Sequence, residues 1–173
     1  IIASSPLSES VRARILPRRE SLYELGQITT YYRVDGMGRL LMGGRSFSHP
    51  SQGPDKFPYL AERATTLWPG LRNLEWTHGW NGQLAVTLDH YPHWHEPTPD
   101  FLAVLGYNGR GVALATLMGQ AVADYLSGKE PPLFPVTPVK PIWAHALWPL
   151  GVAGRIGWGR LMDYVQHGFS DRK

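Results

Sequence analysis

The pattern of apolar and polar positions over residues 101–127 is the one around which the rest of the chain is organised. An uninterrupted apolar run over residues 101–105 predicts a strand that is buried on both faces. Gly106, Gly109 and Gly111 follow it, and glycine permits positive φ and a close approach of another molecule to the backbone. The pattern therefore predicts a strand, a glycine-rich turn and a helix that opens from the turn.

The predicted helix runs from about residue 109 to residue 127, and Gly128 follows it as a C-terminal cap. Its apolar face consists of Leu114, Leu117, Met118, Ala121, Val122 and Tyr125. The unpaired N–H groups and the positive dipole end at its start favour an electron-rich ligand atom, such as a phosphate, a carbonyl or the anionic edge of a reduced ring. Glycine-rich corners also form for packing reasons, so the turn alone leaves both explanations open.

The residues before residue 101 predict a β-rich region with two helices. Strands are expected over 1–5, 23–34 and 39–44, the last two forming a hairpin about the turn at 35–38, with a further extended region over 74–87. Helices are expected up to Leu16 after the N-cap Ser8, and from Pro58 to Trp68 with an apolar face of Leu60, Ala61, Ala64, Leu67 and Trp68. Residues 45–56 and 89–99 are predicted to be loops, and Gly79 and Gly82 to mark a bulge or a close contact.

The C-terminal tail is harder to interpret. Residues 129–141 are proline-rich and extended, and residues 142–165 mix tryptophan and aliphatic residues with glycines and two arginines. The tail either wraps the body as a clasp or lies on a partner or a membrane surface.

Composition narrows the functional classes. The charge is only +3, with 17 Lys+Arg scattered among 14 Asp+Glu, which does not indicate a nucleic-acid partner. The absence of cysteine excludes disulfides, cysteine-ligated zinc and thiol nucleophiles, and is compatible with the cytoplasmic location that we expect. No apolar run approaches the roughly 18 residues of a transmembrane helix.

Two groups of residues could carry chemistry. Tyr31, Tyr32 and Arg33 could line a substrate pocket, although tyrosines in strands are often packing residues. Histidines 90, 93 and 95, with Asp89 and Glu96, could suggest a metal site, but so short a loop cannot easily aim three imidazoles at one point, and we expect no metal. The chain has no Gly-x-Ser-x-Gly elbow, Walker loop or Gly-x-Gly-x-x-Gly fingerprint.

Three motifs appear in a specific order along the chain. They are Tyr31-Tyr32-Arg33 with the run 38–44, then Trp80-Asn81-Gly82 with Thr87-Leu88-Asp89-His90-Tyr91-Pro92, then Gly106-Tyr107-Asn108-Gly109-Arg110-Gly111-Val112. This order resembles the C-terminal part of the FAD-dependent oxidoreductases of the D-amino-acid oxidase superfamily, and most of all their gamma-glutamylputrescine oxidase-like branch.

The resemblance implies an α+β fold, in which an antiparallel substrate-domain sheet accompanies the C-terminal strand-turn-helix of a Rossmann-like FAD domain. Residues 1–88 would belong to the substrate domain, residues 89–128 would be the returning piece of the FAD domain, and residues 129–173 would be an extended and helical tail. The N-terminal FAD-binding part would lie outside this chain, in a missing segment or a partner chain. Apolar strand edges would then be exposed, and we expect a homo-oligomer.

The resemblance also implies the cofactor FAD. Its expected contacts are Gly82, Gly106, Tyr107, Asn108, Gly109, Arg110, Gly111 and Val112, and the expected catalytic residues are Tyr31, Tyr32 and Arg33. The implied reaction transfers a hydride from the carbon that bears an amine to the flavin, and water then hydrolyses the imine.

The substrate is expected to be an amine or an amino acid. Amino-acid oxidases of the superfamily place a carboxylate-binding arginine shortly before the Thr-x-Asp segment, whereas residues 83–86 of this chain are Gln-Leu-Ala-Val. This departure favours a gamma-glutamylputrescine-like amine, unless Arg33 or Arg45 takes over the role. The alternative is a catalytically silent fragment, or a structural subunit that completes a partner's flavin site, and we expect the isolated chain to be inactive.

Overall fold

The computed structural model describes residues 1–46 and 50–167. Residues 47–49 of the predicted loop and residues 168–173 of the tail lie outside the described residues. The strands are β1 Ile2–Pro6, β2 Ser21–Tyr23, β3 Thr30–Val34, β4 Arg39–Gly44, β5 Trp76–Gly79, β6 His93–Thr98 and β7 Phe101–Leu105. The α-helices are α1 Glu9–Arg12, α2 Pro58–Leu67, α3 Gly111–Leu126 and α4 Trp148–His167, with short 3₁₀ turns at Pro54–Lys56, Pro69–Leu71 and His145–Leu147.

The chain divides into two compact units. The first comprises Ile1–Gly82 with Ala144–Lys173, and the second comprises Gln83–Trp143. Both combine helices with antiparallel strands, which confirms the mixed α and β class. The predicted division into 1–88, 89–128 and 129–173 by functional role stays a prediction.

A five-stranded antiparallel sheet in the order β2-β3-β4-β1-β5 forms the centre of the first unit. The predicted hairpin is confirmed, because β3 and β4 pair antiparallel. In its turn, the Asp35 carboxylate accepts the N–H groups of Met37 and Arg39 at 2.9 Å and Gly38 takes a φ of 79°. The single strand predicted over 23–34 is wrong, because the backbone N–H groups of residues 27 and 28 donate to Asp163 of α4 instead of to a neighbouring strand. The sheet therefore gains a short additional strand, β2.

The core of the first unit lies between this sheet and α2. Pro58 begins α2 as predicted, because the first helical position needs no N–H donor. Leu60 and Ala64 are fully buried against β4, and burying a side chain such as Leu60 stabilises the fold by about 2 kcal/mol. The buried cluster consists of Ile2, Leu7, Ile15, Tyr32, Val34, Leu40, Met42, Phe57, Leu60, Ala64 and Leu71.

The second unit contains the β6–β7 hairpin and α3. The loop predicted over 89–99 is wrong from His93 onwards, because β6 pairs with β7 and buries Trp94 completely. The Trp94 ring packs edge-on against Tyr125 of α3, with centroids 5.3 Å apart. Strand β7 is not buried on both faces as predicted: Phe101 is 57% exposed and Leu105 43% exposed.

The predicted course of α3 is confirmed within two residues at its start. Met118 is buried, Gly128 follows the helix with a φ of 68°, and Leu117 departs from the predicted apolar face because it is 54% exposed. Gly111 is the first helical residue and has no positive φ, so the backbone conformation of the turn depends on the other two glycines.

The remaining differences concern the two ends of the first unit. Ser8 caps α1 as predicted, but the helix ends at Arg12 and Leu16 takes a φ of 52°. The extended region predicted over 74–87 is a strand only over β5. Beyond the 3₁₀ turn, the tail forms α4, which packs on residues 26–28 through Gly159 and Asp163. No helix within residues 1–46 and 50–167 has the length and hydropathy to cross a bilayer.

Candidate functional site

The turn between β7 and α3 has the backbone conformation that its sequence requires. Gly106, Asn108 and Gly109 have φ values of 86°, 53° and 84°. Glycine adopts these values without strain, and asparagine tolerates them better than most residues do. Gly106 and Gly109 therefore adopt the positive φ that the sequence predicted, whereas Gly111 does not.

Asn108 and Thr87 fix the turn to the segment that precedes β6. The Thr87 N–H donates to Asn108 Oδ1 at 2.8 Å, and Asn108 Nδ2 donates to Thr87 Oγ1 at 2.9 Å and also to the carbonyl oxygen of Gly106. Thr87 Oγ1 in turn donates to the carbonyl oxygen of Tyr91 at 2.8 Å. A Cβ on Gly106 would lie 2.5 Å from Thr87 Cγ2, so this position requires glycine for space as well as for its φ.

The start of α3 presents unpaired backbone donors. Arg110 is the N-cap residue and its side chain does not cap the helix; its Nη2 donates to the carbonyl oxygen of His90 at 2.5 Å. Among the described residues, nothing accepts the N–H groups of Gly111, Val112 and Ala113. These groups and the helix dipole create a local environment that favours an electron-rich atom. Val112 is 96% exposed beside them.

Tyr107 has a different role within the turn. Its hydroxyl donates to the carbonyl oxygen of Val104 at 3.0 Å, so its polar atom binds the end of β7. This hydrogen bond stabilises the conformation of the turn.

The segment before β6 carries one strongly perturbed carboxyl group. The Tyr91 N–H donates to Asp89, and together with His93 Nε2 at 3.1 Å it lowers the pKa of Asp89 to about 2. His90 takes a φ of 61° in the same turn. Asp89 therefore remains ionised and holds the bend from Thr87 to His93.

The histidines of this region do not converge. His93 faces Asp89, whereas His95 donates its Nδ1 hydrogen to the carbonyl oxygen of Thr137 at 2.7 Å. Across the described part of the chain, no group of three histidine, aspartate or glutamate side chains could hold a metal ion.

The alternation of β3 separates the three predicted catalytic residues. Tyr32 points into the core and packs edge-on against Trp68, with centroids 5.3 Å apart, and it is only 8% exposed. Tyr31 and Arg33 lie on the opposite face, which we call the outer face of the sheet. Of the three residues, only Tyr31 and Arg33 have their side chains on the outer face. The predicted catalytic roles stay predictions.

The outer face contains a cavity of about 330 Å³. The Tyr31 ring lies over Gly43 of β4, where any Cβ would overlap the ring. Burial, and next the neighbouring Tyr23, raise the pKa of Tyr31, so its hydroxyl stays protonated near neutral pH. The lining residues include Tyr31, Arg33 and Leu41, which share the outer face in the strand register, and Trp80.

The predicted cofactor contact Gly82 follows β5, at the end of a segment that hydrogen bonds of Trp80 and Asn81 hold in place. The Trp80 N–H donates to the carbonyl oxygen of Ile1 at 2.9 Å, and Asn81 Oδ1 accepts the Ser51 N–H at 2.7 Å. The predicted close contact is not seen at Gly82, because no described atom lies within 4 Å of the position that a Cβ would take there. It is seen at Gly79, where a Cβ would overlap the carbonyl group of Gly53.

The predicted residues thus fall on both units. Tyr31, Tyr32, Arg33 and Gly82 belong to the first, and the run from Gly106 to Val112 belongs to the second. The sequence did not single out Thr87 as the partner of Asn108, although the Thr-x-Asp motif marked the segment.

Comparison with known proteins gives the family. The family described as FAD dependent oxidoreductase (DAO) matches residues 1–125. A protein named probable oxidoreductase OrdL from Haemophilus influenzae is 32% identical over 130 residues, covering 75% of this chain and 29% of that protein. A protein of the same name from Rhizobium meliloti is 32% identical over 116 residues, covering 67% of this chain and 27% of that protein.

The chain therefore aligns with less than a third of the length of these curated relatives. No solved structure matches it. The family match runs from β1 to the last turn of α3, so it covers parts of both units, and it includes all the predicted site residues. The chain belongs to the DAO family of FAD-dependent oxidoreductases.

Proposed function

We propose that this chain supplies the flavin-contacting turn and the substrate face of an enzyme that oxidises a C–N bond of an amine or amino acid. FAD, when bound, accepts the hydride from the carbon that bears the nitrogen. The observation that carries the proposal is the turn from Gly106 to Gly111, which the Asn108–Thr87 pair holds open while the first N–H groups of α3 lack acceptors.

The donor set at this turn fits one end of the cofactor. Backbone N–H groups at a helix start stabilise partial negative charge, which suits the electron-rich edge of a flavin ring. The absence of a Cβ at Gly109, which has no described atom within 4 Å of that position, leaves space for close approach. We propose Gly106, Asn108, Gly109, Arg110, Gly111 and Val112 as the residues that form this contact, with Tyr107 supporting them and Gly82 as a further contact.

Substrate positioning would fall to the outer face of the sheet. Tyr31 keeps its proton and can donate a hydrogen bond, and Arg33 offers a guanidinium that can hold a carboxylate. Leu41 and Trp80 make the remaining lining largely apolar. An elongated amine of the gamma-glutamylputrescine type has an apolar chain and a carboxylate-bearing end that would match this lining.

The proposal requires further polypeptide. Phe101 and Leu105 of β7 are exposed, which supports the expectation that an N-terminal FAD-binding part or a partner chain covers this strand. Homo-oligomer formation and a cytoplasmic location remain predictions.

Steady-state kinetics of the full-length enzyme test the substrate. Turnover of ordinary D-amino acids should be compared with turnover of gamma-glutamylated and free polyamines. Arg33→Gln should lower kcat/KM for carboxylate-bearing substrates by about tenfold or more, whereas exposed Arg72→Gln should not change it. Faster turnover of an ordinary amino acid would exclude the amine as the preferred substrate, and a colourless full-length protein would support the silent-subunit alternative.

A further inference from the structure

Gly43, near the end of β4, controls the position of an aromatic ring in the cavity on the outer face. Tyr31 and Gly43 are directly opposite each other in the β3–β4 register, and both line the cavity. A Cβ on Gly43 would overlap Tyr31 Cε2 and Cζ and would lie 2.7 Å from Cδ2. The Tyr31 ring therefore occupies the place where any other residue at position 43 would put its side chain.

The Tyr31 ring has no room to move sideways along the sheet. Tyr23 of β2 is directly opposite Tyr31 on its other side, and the Tyr23 hydroxyl is hydrogen-bonded to Thr29 Oγ1 at 3.1 Å. A side chain at position 43 would push the ring away from the sheet, because both neighbouring strands would then present side chains beside it. The displaced ring would reduce the space in the cavity of about 330 Å³.

The space that the ring would enter lies next to Arg33. Arg33 follows Tyr31 on the same face of β3, at a distance of about 7 Å along the strand. A short substrate bound to the Arg33 guanidinium needs little of this space, whereas an elongated amine with its carboxylate on Arg33 extends across it. A side chain at position 43 would therefore affect the long substrate more than the short one.

We propose that Gly43 determines the substrate length that the cavity accepts, by allowing the Tyr31 ring to lie against the sheet. This inference rests on the proposed function, in which the outer face binds the substrate. Gly43 acts through Tyr31 and is a positioning residue. An aromatic ring over a strand glycine also stabilises a sheet, so the test needs a readout that a change in stability alone does not move.

That readout is a ratio measured on the full-length, FAD-loaded enzyme: kcat/KM for gamma-glutamylputrescine divided by kcat/KM for D-alanine. Gly43→Ala should lower the ratio about tenfold or more, mainly through a higher KM for the longer substrate. The matched control is Gly53→Ala, which is strained by a φ of 99° and by a Cβ 2.5 Å from Asp55 Oδ1 but does not line the cavity. It should lower stability and leave the ratio within about twofold of the wild type.

Two further backgrounds separate the Tyr31 ring from its hydroxyl. Tyr31→Phe keeps the ring, so adding Gly43→Ala should again lower the ratio about tenfold. Tyr31→Ala removes the ring that the new Cβ would meet, so adding Gly43→Ala should change the ratio by less than about twofold.

Three results would overturn the inference and leave the proposed function intact: an equal loss for both substrates in Gly43→Ala, an equal fall of the ratio in Gly53→Ala, or a tenfold effect of Gly43→Ala that persists without the ring. If Gly43→Ala does not fold, Tyr31→Ala and Tyr31→Phe decide. The ratio should be at least about threefold higher without the ring, and equal ratios refute the inference. A wild-type enzyme that oxidises neither substrate would refute the proposed function as well.

Discussion

Thr87 and Asn108 bind each other through two hydrogen bonds that run in opposite directions. The Thr87 N–H donates to Asn108 Oδ1 at 2.8 Å and Asn108 Nδ2 donates to Thr87 Oγ1 at 2.9 Å. The pair joins residues 21 positions apart in the sequence and holds the turn that precedes the unpaired N–H groups of α3. Loss of this pairing should therefore destabilise the turn.

Asn108→Ala should lower the free energy of unfolding by about 1–3 kcal/mol, because the variant leaves the Thr87 N–H without its acceptor and places alanine at positive φ. Asn108→Gly should recover the backbone part of this loss only. Chemical denaturation measures both. Asn73→Ala, at an exposed turn position, should stay within about 0.5 kcal/mol of the wild type; equal losses in the two alanine variants would contradict the role of the pair.

Gly106→Ala should be more disruptive than an ordinary glycine substitution. Its Cβ would meet Thr87 Cγ2 at 2.5 Å and its φ is 86°, so we expect a loss of about 2 kcal/mol or more in thermal or chemical unfolding. Adding Thr87→Ser removes the clashing methyl group and should restore part of the loss.

Gly119→Ala is the matched control for that substitution. Gly119 lies within α3 with no described atom within 4 Å of its Cβ position, so alanine should stabilise the helix by up to about 1 kcal/mol. Destabilisation at Gly119 as large as at Gly106 would refute the steric argument.

Several elements follow from local sequence, and others depend on distant partners. The β3–β4 hairpin follows from Asp35 and Gly38, and α2 from Pro58 and its spaced apolar residues. Strand β6 could not be predicted, because its histidines and Pro97 are typical of a loop and it is a strand only through pairing with β7.

The candidate site divides in the same way. The backbone conformation of the turn could be predicted from Gly106 and Gly109, since few residues other than glycine adopt positive φ. The partner of Asn108 needed the tertiary structure because it is a long-range contact. Alternation along a strand puts Tyr31 and Tyr32 on opposite faces, but only the packing of the sheet shows that Tyr32 is the one that faces the core.

Asp163→Ala should weaken the packing of α4 on residues 26–28 of the same unit. Two N–H groups lose a charged acceptor, which should cost about 1.5–3 kcal/mol and speed hydrogen exchange at the amides of Gln27 and Ile28. Asp55→Ala removes an exposed carboxylate paired with Lys56 and should have little effect. Unchanged exchange at residues 27 and 28 in Asp163→Ala would show that the carboxylate does not anchor the helix.

Asp89 should make folding sensitive to acid. The Tyr91 N–H and His93 lower its pKa from the ordinary 3.8 to about 2, so the folded state binds this proton less readily than the unfolded state. The contribution of Asp89 is therefore fully present above pH 4 and is lost as the pH falls from about 4 towards 2. Denaturation across this range should show a smaller acid dependence in Asp89→Asn, and identical profiles would contradict the prediction.

The central claim is that the first N–H groups of α3 contact the flavin, and hydrogen–deuterium exchange of the full-length protein with and without FAD tests it most directly. The amides of Gly111, Val112 and Ala113 have no acceptor in the described chain, so they should exchange rapidly without FAD and at least about tenfold more slowly with it. The amide of Gly36, in the β3–β4 turn, should serve as an unaffected reference. Saturating FAD binding with unchanged exchange at residues 111–113 would contradict the account.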